Sequence, residues 1–355
     1  MSLSRRTVLT GALTAGTLAA GGFPAFAQTA SAQTASAQTA GPFTAARPAR
    51  IVVLTPRKDV GDVLGLRDFI ASSGLPAAVE VREVPQASAM PALLPEIRAS
   101  KPDLVVTVFT PLTLATVGRH DDPDPSRFLT DVPVVFTSVT DPVASRVVRG
   151  LDRTGRAVTG TRHIAPVAVQ MKTMLSYRRW KKIAAVYNPA EDNMVVAVRD
   201  LKEEAARQGV EVHDAALPRD ASGAPVAAAI PDLIADAARA GAELVYIGPD
   251  TLVASGNSAV VAEQALAHRL ATFCSTELPI RRANLLMGLV SPAVNVGRFA
   301  GLKAVEILTG AKPADGVPVE TLNRFSLLLR IGAAKQLDLY PPMRLLNIAE
   351  IVQDA

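Results

Sequence analysis

The chain has 355 residues, of which 49% are hydrophobic, and its formal net charge at pH 7 is +4. Setting aside the N-terminal segments described below leaves about 300 residues, which is more than one hydrophobic core usually serves, so two lobes are predicted. Basic residues are scattered and aromatic residues make up only 4% of the chain. The composition therefore offers neither the basic stripe nor the stacking platforms of a nucleic-acid-binding protein.

The first 27 residues have the pattern of an export signal. Arg5 and Arg6 are followed by a weakly apolar run and by Ala25-Phe26-Ala27, which predicts a twin-arginine-type signal peptide cleaved after Ala27. An uncleaved membrane anchor is disfavoured, because the run is shorter than the ~20 residues that span a bilayer. The expected location of the mature protein is the periplasm.

Residues 28–47 repeat Gln-Thr-Ala-Ser-Ala and contain almost no large apolar side chains. This composition predicts a disordered linker. The only cysteine is Cys274, far from the cleavage site. We therefore expect no lipid anchor and no internal disulfide, with Cys274 as a buried core thiol.

Short apolar runs alternate with helical stretches along the rest of the chain. In the first half the runs are 51–54, 104–109 and 132–136, and after Gly160 they are 183–187, 210–212, 244–247, 271–274 and 285–290. Such runs, apolar at successive positions, are typical of parallel strands covered by helices on both faces. The sequence predicts an α/β fold with two doubly wound sheets.

Two helices are indicated within this pattern. Met194, Val198, Leu201 and Ala205 recur at helical spacing, between N-cap candidates at 192–193 and Gly209, which predicts an amphipathic helix. The segment 294–309 predicts a late helix that ends at Gly310.

Enzyme signatures are absent from the sequence. It contains no Gly-x-Ser-x-Gly, no His-Glu-x-x-His and no Gly-rich phosphate loop, and the four histidines are 43 or more residues apart, without local metal-ligand spacing. We expect no catalytic residues, no metal and no cofactor.

Polar residues follow the carboxyl ends of five predicted strands. In open α/β sheets the ligand crevice lies at those ends, where helix N-termini present unpaired N–H groups. The pattern predicts a small-molecule site that suits a carboxylate, and its candidate residues are Thr55, Pro56, Thr110, Pro111, Thr137, Ser138, Thr140, Asp141, Tyr187, Asn188 and Asp250.

Each of these residues also has a purely structural interpretation. Thr110 and Asp141 are good helix caps, and Pro111 fits the first helical position. Tyr187 is equally well explained as a core aromatic residue at a strand end, and Asn188 as a turn residue.

Four segments carry a resemblance to a known family. They are Val132-Pro-Val-Val-Phe-Thr-Ser-Val-Thr-Asp-Pro-Val143, Val186-Tyr-Asn-Pro-Ala-Glu-Asp-Asn193, Leu308-Thr-Gly-Ala-Lys-Pro-Ala-Asp315 with Val317-Pro-Val-Glu320, and Ala334-Lys-Gln-Leu-Asp-Leu339. In these segments the chain resembles the ABC transporter substrate-binding proteins of the tryptophan/tyrosine type, which have the type I periplasmic binding fold.

The resemblance implies two Rossmann-like lobes joined by three crossovers, with ligand bound between them. The expected lobes are 48–157 plus 288–312 and 158–287 plus 313–355. Thr110, Ser138, Thr140 and Asp141 are then expected to face the ligand from the first lobe, and Tyr187, Asn188, Asn193 and Asp250 from the second. Ser275 and Glu277, which follow the predicted strand at 271–274, complete the candidate ligand-binding residues.

The resulting hypothesis is a monomeric periplasmic receptor that delivers an amino-acid-like or small carboxylate ligand to the permease of an ABC importer. A ligand-sensing subunit for a membrane signalling partner is the alternative. An exported enzyme on the same scaffold is a third possibility, which turnover of the ligand would establish.

Overall fold

The computed structural model describes residues 42–353. The predicted signal peptide and residues 28–41 of the predicted linker lie outside the described residues. The remaining linker residues form a closed turn, in which Thr44 and Arg47 exchange two backbone hydrogen bonds of 3.0 Å. Phe43 packs against the core of the first sheet. The linker prediction is therefore wrong for residues 42–47, because this one large apolar side chain holds them to the folded body.

Thirteen strands and eleven α-helices are formed within residues 42–353. The strands are β1 (Ala49–Thr55), β2 (Ala77–Glu83), β3 (Leu104–Val108), β4 (Val134–Thr137), β5 (Val158–Arg162), β6 (Lys182–Tyr187), β7 (Glu211–Ala216), β8 (Leu244–Ile247), β9 (Ala271–Cys274), β10 (Met287–Val290), β11 (Glu320–Thr321), β12 (Ser326–Arg330) and β13 (Glu350–Val352). The helices are α1 (Gly61–Ser72), α2 (Met90–Ala99), α3 (Thr110–Val117), α4 (Val167–Tyr177), α5 (Asp192–Arg207), α6 (Ile230–Arg239), α7 (Ser258–Ala267), α8 (Glu277–Arg282), α9 (Ala293–Leu308), α10 (Ile331–Leu337) and α11 (Met343–Leu346).

The first sheet has six strands in the order β11-β5-β4-β3-β1-β2, and all its pairings are parallel. Successive residues of β1 enter opposite cores, as expected for a strand covered on both faces. Val52 and Leu54 pack with α2 and α3, whereas Ile51 and Val53 pack with α1 and α9. We call this sheet with α1, α2, α3 and α9 the first lobe.

The second sheet has seven strands in the order β13-β12-β10-β9-β8-β6-β7. Helices α4, α5, α10 and α11 contribute to the core on one face, and α6, α7 and α8 to the core on the other. We call this body the second lobe. The doubly wound prediction is confirmed for both sheets, with one difference: β10 and β12 pair antiparallel.

Both predicted helices are present. The four periodic residues of α5 are its buried residues, and Gly209 follows the helix with φ +70°. The helix begins at Asp192 with Glu191 before it, so neither Asp192 nor Asn193 is the N-cap. The late helix is α9, and it packs against α1 of the first lobe.

The chain passes between the sheets three times, after β5, after β10 and after β11. Strand pairing places β5 and β11 in the first sheet and β10 in the second. The predicted boundaries at 158, 288 and 313 therefore each come one strand too early. The reason is physical: an apolar run predicts a strand, but it carries no information about which sheet the strand joins.

Helices α1 and α9 approach each other through glycines. A Cβ atom on Gly65 would lie 1.8 Å from the carbonyl oxygen of Val294, and one on Gly297 would lie 2.0 Å from that of Asp62. Both helices begin at the carboxyl ends of strands, β1 for α1 and β10 for α9. Their close contact therefore fixes the second crossover against the first lobe. Across residues 42–353, no helix combines the length and apolarity needed to cross a membrane.

Candidate functional site

Polar residues at the carboxyl ends of the first sheet form a buried cluster around Asp62. Thr137 ends β4 and Ser138 follows it, and their hydroxyls donate to Asp62 Oδ1 at 2.7 and 2.5 Å. Thr161 of β5 donates to the Thr137 hydroxyl at 3.4 Å. Asp62 lies in the first turn of α1 and is only 2% exposed. Sequence reasoning predicted Thr137 and Ser138 but missed Asp62.

Burial raises the pKa of Asp62 above its ordinary value of 3.8, and the charge of the Glu277 carboxylate raises it further. The hydrogen bonds from Ser138 and Thr137 act in the opposite direction and lower this pKa. The folded protein therefore holds this proton more tightly than the unfolded chain does. Its contribution to stability falls as pH rises from 3.8 through the raised pKa. A carboxylate that costs stability at neutral pH is a candidate for a functional role.

The Asp62→Asn variant should be more stable than wild type at pH 7, by a margin that disappears as pH falls towards about 3. The asparagine oxygen still accepts from Thr137 and Ser138, but it carries no charge to bury. Urea unfolding at a series of pH values measures the difference. The exposed Asp152→Asn serves as the control, and parallel pH profiles for wild type and Asp62→Asn would contradict the prediction.

The other predicted residues of the first lobe lie along the same edge. Thr55 is buried and donates to the carbonyl of Arg57 at 2.7 Å, next to Pro56. Thr110 and Pro111 are the first two residues of α3, and no side chain caps this helix, so the capping interpretation of Thr110 is wrong.

Asp141 has a structural partner of its own. Its Oδ1 accepts from the backbone N–H groups of Val143 and Ala144 at 3.1 and 3.0 Å, which stabilises a turn that does not continue as a helix. The carbonyl of Thr140 accepts from Nε of Arg162 at 3.2 Å. Arg162, at the end of β5, is a half-buried cation that sequence reasoning missed.

A second polar cluster lies at the carboxyl ends of β6 and β8. Asp250 is 1% exposed, and its two oxygens accept from the backbone N–H groups of Val253 and Asn188 at 2.7 and 2.6 Å. Asn193 Nδ2 donates to the carbonyl of Pro249 at 3.0 Å. The structure thus brings together three of the predicted residues, Asn188, Asn193 and Asp250.

Glu191 joins this cluster and was not predicted. Its carboxylate accepts from the backbone N–H of Thr251 at 3.0 Å and from Asn188 Nδ2 at 3.4 Å. Burial raises the pKa of both Glu191 and Asp250, and the nearby Asp250 charge raises that of Glu191 further. Two carboxylates with raised pKa values side by side form a site that favours a cation.

Tyr187 and Ser275 belong to the packing of the second lobe. Tyr187 is 8% exposed in the core that includes Met194, and burial raises the pKa of its hydroxyl, as does the charge of Asp214. Tyr187 thus has the environment of a core aromatic residue at a strand end. Ser275 is fully buried beside the Tyr246 hydroxyl. Cys274 is also buried, and burial raises its thiol pKa to about 11, as expected of a core thiol.

Glu277 connects the two lobes. One of its oxygens accepts from the backbone N–H of Ala293, the first residue of α9, at 2.9 Å, and the other accepts from Arg281 at 2.7 Å. The charge of Glu277 also acts on Asp62 of the first lobe. The pKa of Arg199 in α5 is raised mainly by Asp200, and the Asp141 charge of the first lobe adds a small contribution. The two polar edges therefore face each other.

The described residues contain no cluster of metal-binding side chains. Among residues 42–353, no three His, Cys, Asp or Glu side chains are arranged to hold a metal ion. His163, in the first crossover, is half-buried with its Nδ1 enclosed, and desolvation followed by the neighbouring Arg162 charge lowers its pKa to about 4. An imidazole with such a pKa is neutral at pH 7.

The fold and the paired polar edges define a two-lobed α/β binding protein, and solved structures identify its type. A conserved domain protein from Vibrio cholerae is 22% identical, with a TM-score of 0.70 over 86% of this chain and 99% of that one. A Streptococcus pneumoniae ABC domain in complex with L-Trp is 23% identical, with a TM-score of 0.69 over 86% and 99%. The fold is the type I periplasmic binding fold.

Sequence comparison gives the family. Residues 86–353 match the family model described as ABC transporter substrate binding protein, so the chain belongs to that family and the predicted resemblance is confirmed. A tyrosine-binding protein from Clostridioides difficile is 25% identical over 242 residues, which is 68% of this chain. The match spans 64% of the length of that relative.

Proposed function

We propose that the protein is a monomeric periplasmic receptor that binds an aromatic amino acid between its lobes and delivers it to an ABC importer. Membership of the substrate-binding family supports receptor function. The ligand class is supported by a relative named as tyrosine-binding and by a similar structure crystallised with L-Trp. The paired arginines at 5–6 support export.

The pair of carboxylates at Glu191 and Asp250 is the observation that carries this proposal. Both have raised pKa values, and their described hydrogen bonds come from amides rather than from a cation. The ammonium group of an amino acid placed there offsets one of the two negative charges and lowers both pKa values. This role would explain why two acids are kept side by side at a cost in stability.

The ligand carboxylate is assigned to the first lobe. Arg162 supplies a half-buried guanidinium at the end of β5, held by its Nε bond to Thr140. A guanidinium matches a carboxylate in geometry as well as in charge. Binding the two charged ends of one amino acid from opposite lobes gives the ligand a direct means of closing them.

Thermal unfolding in the presence of ligands tests this function. L-tyrosine or L-tryptophan at 100 times its dissociation constant should stabilise the protein by about 2.7 kcal/mol. Tyramine lacks the carboxylate and 3-(4-hydroxyphenyl)propionate lacks the ammonium, so each should bind far more weakly than L-tyrosine. L-alanine carries both groups without the ring and reports the contribution of the side chain.

Two outcomes would contradict parts of the proposal. Stabilisation by neither L-tyrosine, L-tryptophan nor L-phenylalanine would refute the ligand class. Equal stabilisation by L-tyrosine and by 3-(4-hydroxyphenyl)propionate would remove the role assigned to Glu191 and Asp250.

A further inference from the structure

Phe109 has a backbone conformation that is unusual for any residue other than glycine. It directly follows β3, and its φ and ψ angles are 68° and 156°. A side chain at these angles collides with its own backbone, so the region is populated almost only by glycine. The phenyl side chain is nevertheless 36% exposed, so packing in the core does not account for this backbone conformation.

Hydrogen bonds on both sides hold Phe109 in this conformation. Its N–H donates to the carbonyl of Thr137 at 3.0 Å, and its carbonyl accepts from the backbone N–H and the hydroxyl of Thr113 at 3.1 and 2.9 Å. The Thr113 hydroxyl lies 2.8 Å from that of Thr107 in β3. The strained geometry is therefore built into the first lobe rather than being the result of a loose loop.

Phe109 lies on the edge of the first lobe that carries the candidate site. Its backbone partner Thr137 precedes Ser138, which also has a positive φ of 56° and which donates to Asp62. Two neighbouring strands thus end in strained residues, and strain of this kind concentrates where ligands bind.

Exposed apolar side chains of the second lobe occupy the corresponding edge. Val195, in the first turn of α5, is 46% exposed, and Leu278, in the first turn of α8, is 38% exposed. Both helices begin at the carboxyl ends of their strands, close to Glu191 and Glu277. An apolar group bound between the lobes would contact apolar side chains from both.

We propose that Phe109 stacks against the aromatic ring of the bound amino acid and so sets the preference for aromatic over aliphatic ligands. This inference rests on the proposed function and adds a specificity residue to it. An aromatic face is best used by another ring. A residue retained for stability alone would be glycine here, because glycine adopts these angles without strain.

The Phe109→Gly variant tests the proposal because it should raise the stability of the protein while lowering its affinity for L-tyrosine. The melting temperature without ligand should rise, because the strain is removed. The dissociation constant for L-tyrosine should increase about tenfold or more, because the stacking partner and its buried area are lost. The constant for L-alanine should change by less than about threefold, since a methyl side chain cannot stack.

Two further variants complete the experiment. Phe109→Tyr keeps the ring and should keep the affinity for L-tyrosine within about threefold of wild type. Tyr340→Gly removes another exposed aromatic side chain, 62% exposed beyond α10, and should leave the affinity unchanged.

The outcomes separate this inference from the function on which it rests. If the wild-type protein binds L-tyrosine and Phe109→Gly binds it as tightly, stacking is refuted and the receptor proposal stands. A Phe109→Gly variant that loses affinity for L-tyrosine and L-alanine equally also refutes a role in specificity. If the wild-type protein binds no aromatic amino acid, both proposals fail together.

Discussion

Replacing Asp250 with alanine is expected to lower the free energy of unfolding by about 3–5 kcal/mol, because two buried backbone N–H groups lose a charged acceptor. Those groups belong to Asn188, at the end of β6, and Val253, in the turn of π-helix at Thr251–Gly256. The carboxylate and both amides are shielded from bulk solvent, since Asp250 is 1% exposed and Asn188 and Val253 are buried. Urea denaturation of the purified protein measures the loss.

Asp250→Asn should fall between wild type and Asp250→Ala. The amide keeps one oxygen as an acceptor and turns an NH₂ group towards the other backbone N–H, so one of the two hydrogen bonds is lost. Asp232→Ala, in the exposed first turn of α6, is the matched control and should change stability by no more than about 0.5 kcal/mol. An Asp250→Ala variant as stable as this control would show that the second polar cluster does not depend on Asp250.

The second large effect is expected from Gly65→Ala at the contact of α1 and α9. The added methyl carbon would lie 1.8 Å from the Val294 carbonyl oxygen and 3.0 Å from the Arg298 nitrogen. Backbone atoms cannot rotate away as a side chain can, so the helices must separate. The expected loss of stability is about 3 kcal/mol or more, at the upper end for overpacking, and thermal unfolding measures it.

Gly150→Ala provides the control within the first lobe. A Cβ atom there meets only the Arg153 carbonyl oxygen at 3.4 Å, an ordinary contact, so the variant should melt close to wild type. If Gly65→Ala also melts close to wild type, the helices are not in the close contact described here.

Several elements of the fold were predictable because their signals are local. The strand runs are apolar at successive positions, and the periodicity of α5 marks its buried face from Met194 to Ala205. Strand partners were not predictable, because pairing depends on residues far apart in the chain. The antiparallel pairing of β10 with β12, and the place of β11 beside β5, are of this kind.

The candidate site was predictable mainly where its residues lie close to the end of a strand. Ser138 follows β4 directly and Asp250 is three residues beyond β8, whereas Asp62 is seven residues beyond β1, in the first turn of α1, and looks in sequence like an ordinary acid near a helix N-terminus. Tyr187 illustrates the opposite case. It shares the period-two face of Ile183 and Ala185, which pack in the same core, so strand parity was the signal that could have placed it inside.

The arrangement of α9 has a consequence for biosynthesis. Ala300, Ala304 and Leu308 of this helix cover one face of the first sheet, and β11 completes the edge of that sheet. A ribosome must therefore translate beyond residue 321 before the first lobe has all its parts, although its opening strand begins at Ala49. Until α9 has been synthesised, the face of the nascent sheet that carries Ile51 and Val53 is incompletely covered. We therefore expect the growing chain to depend on chaperones until late in its synthesis.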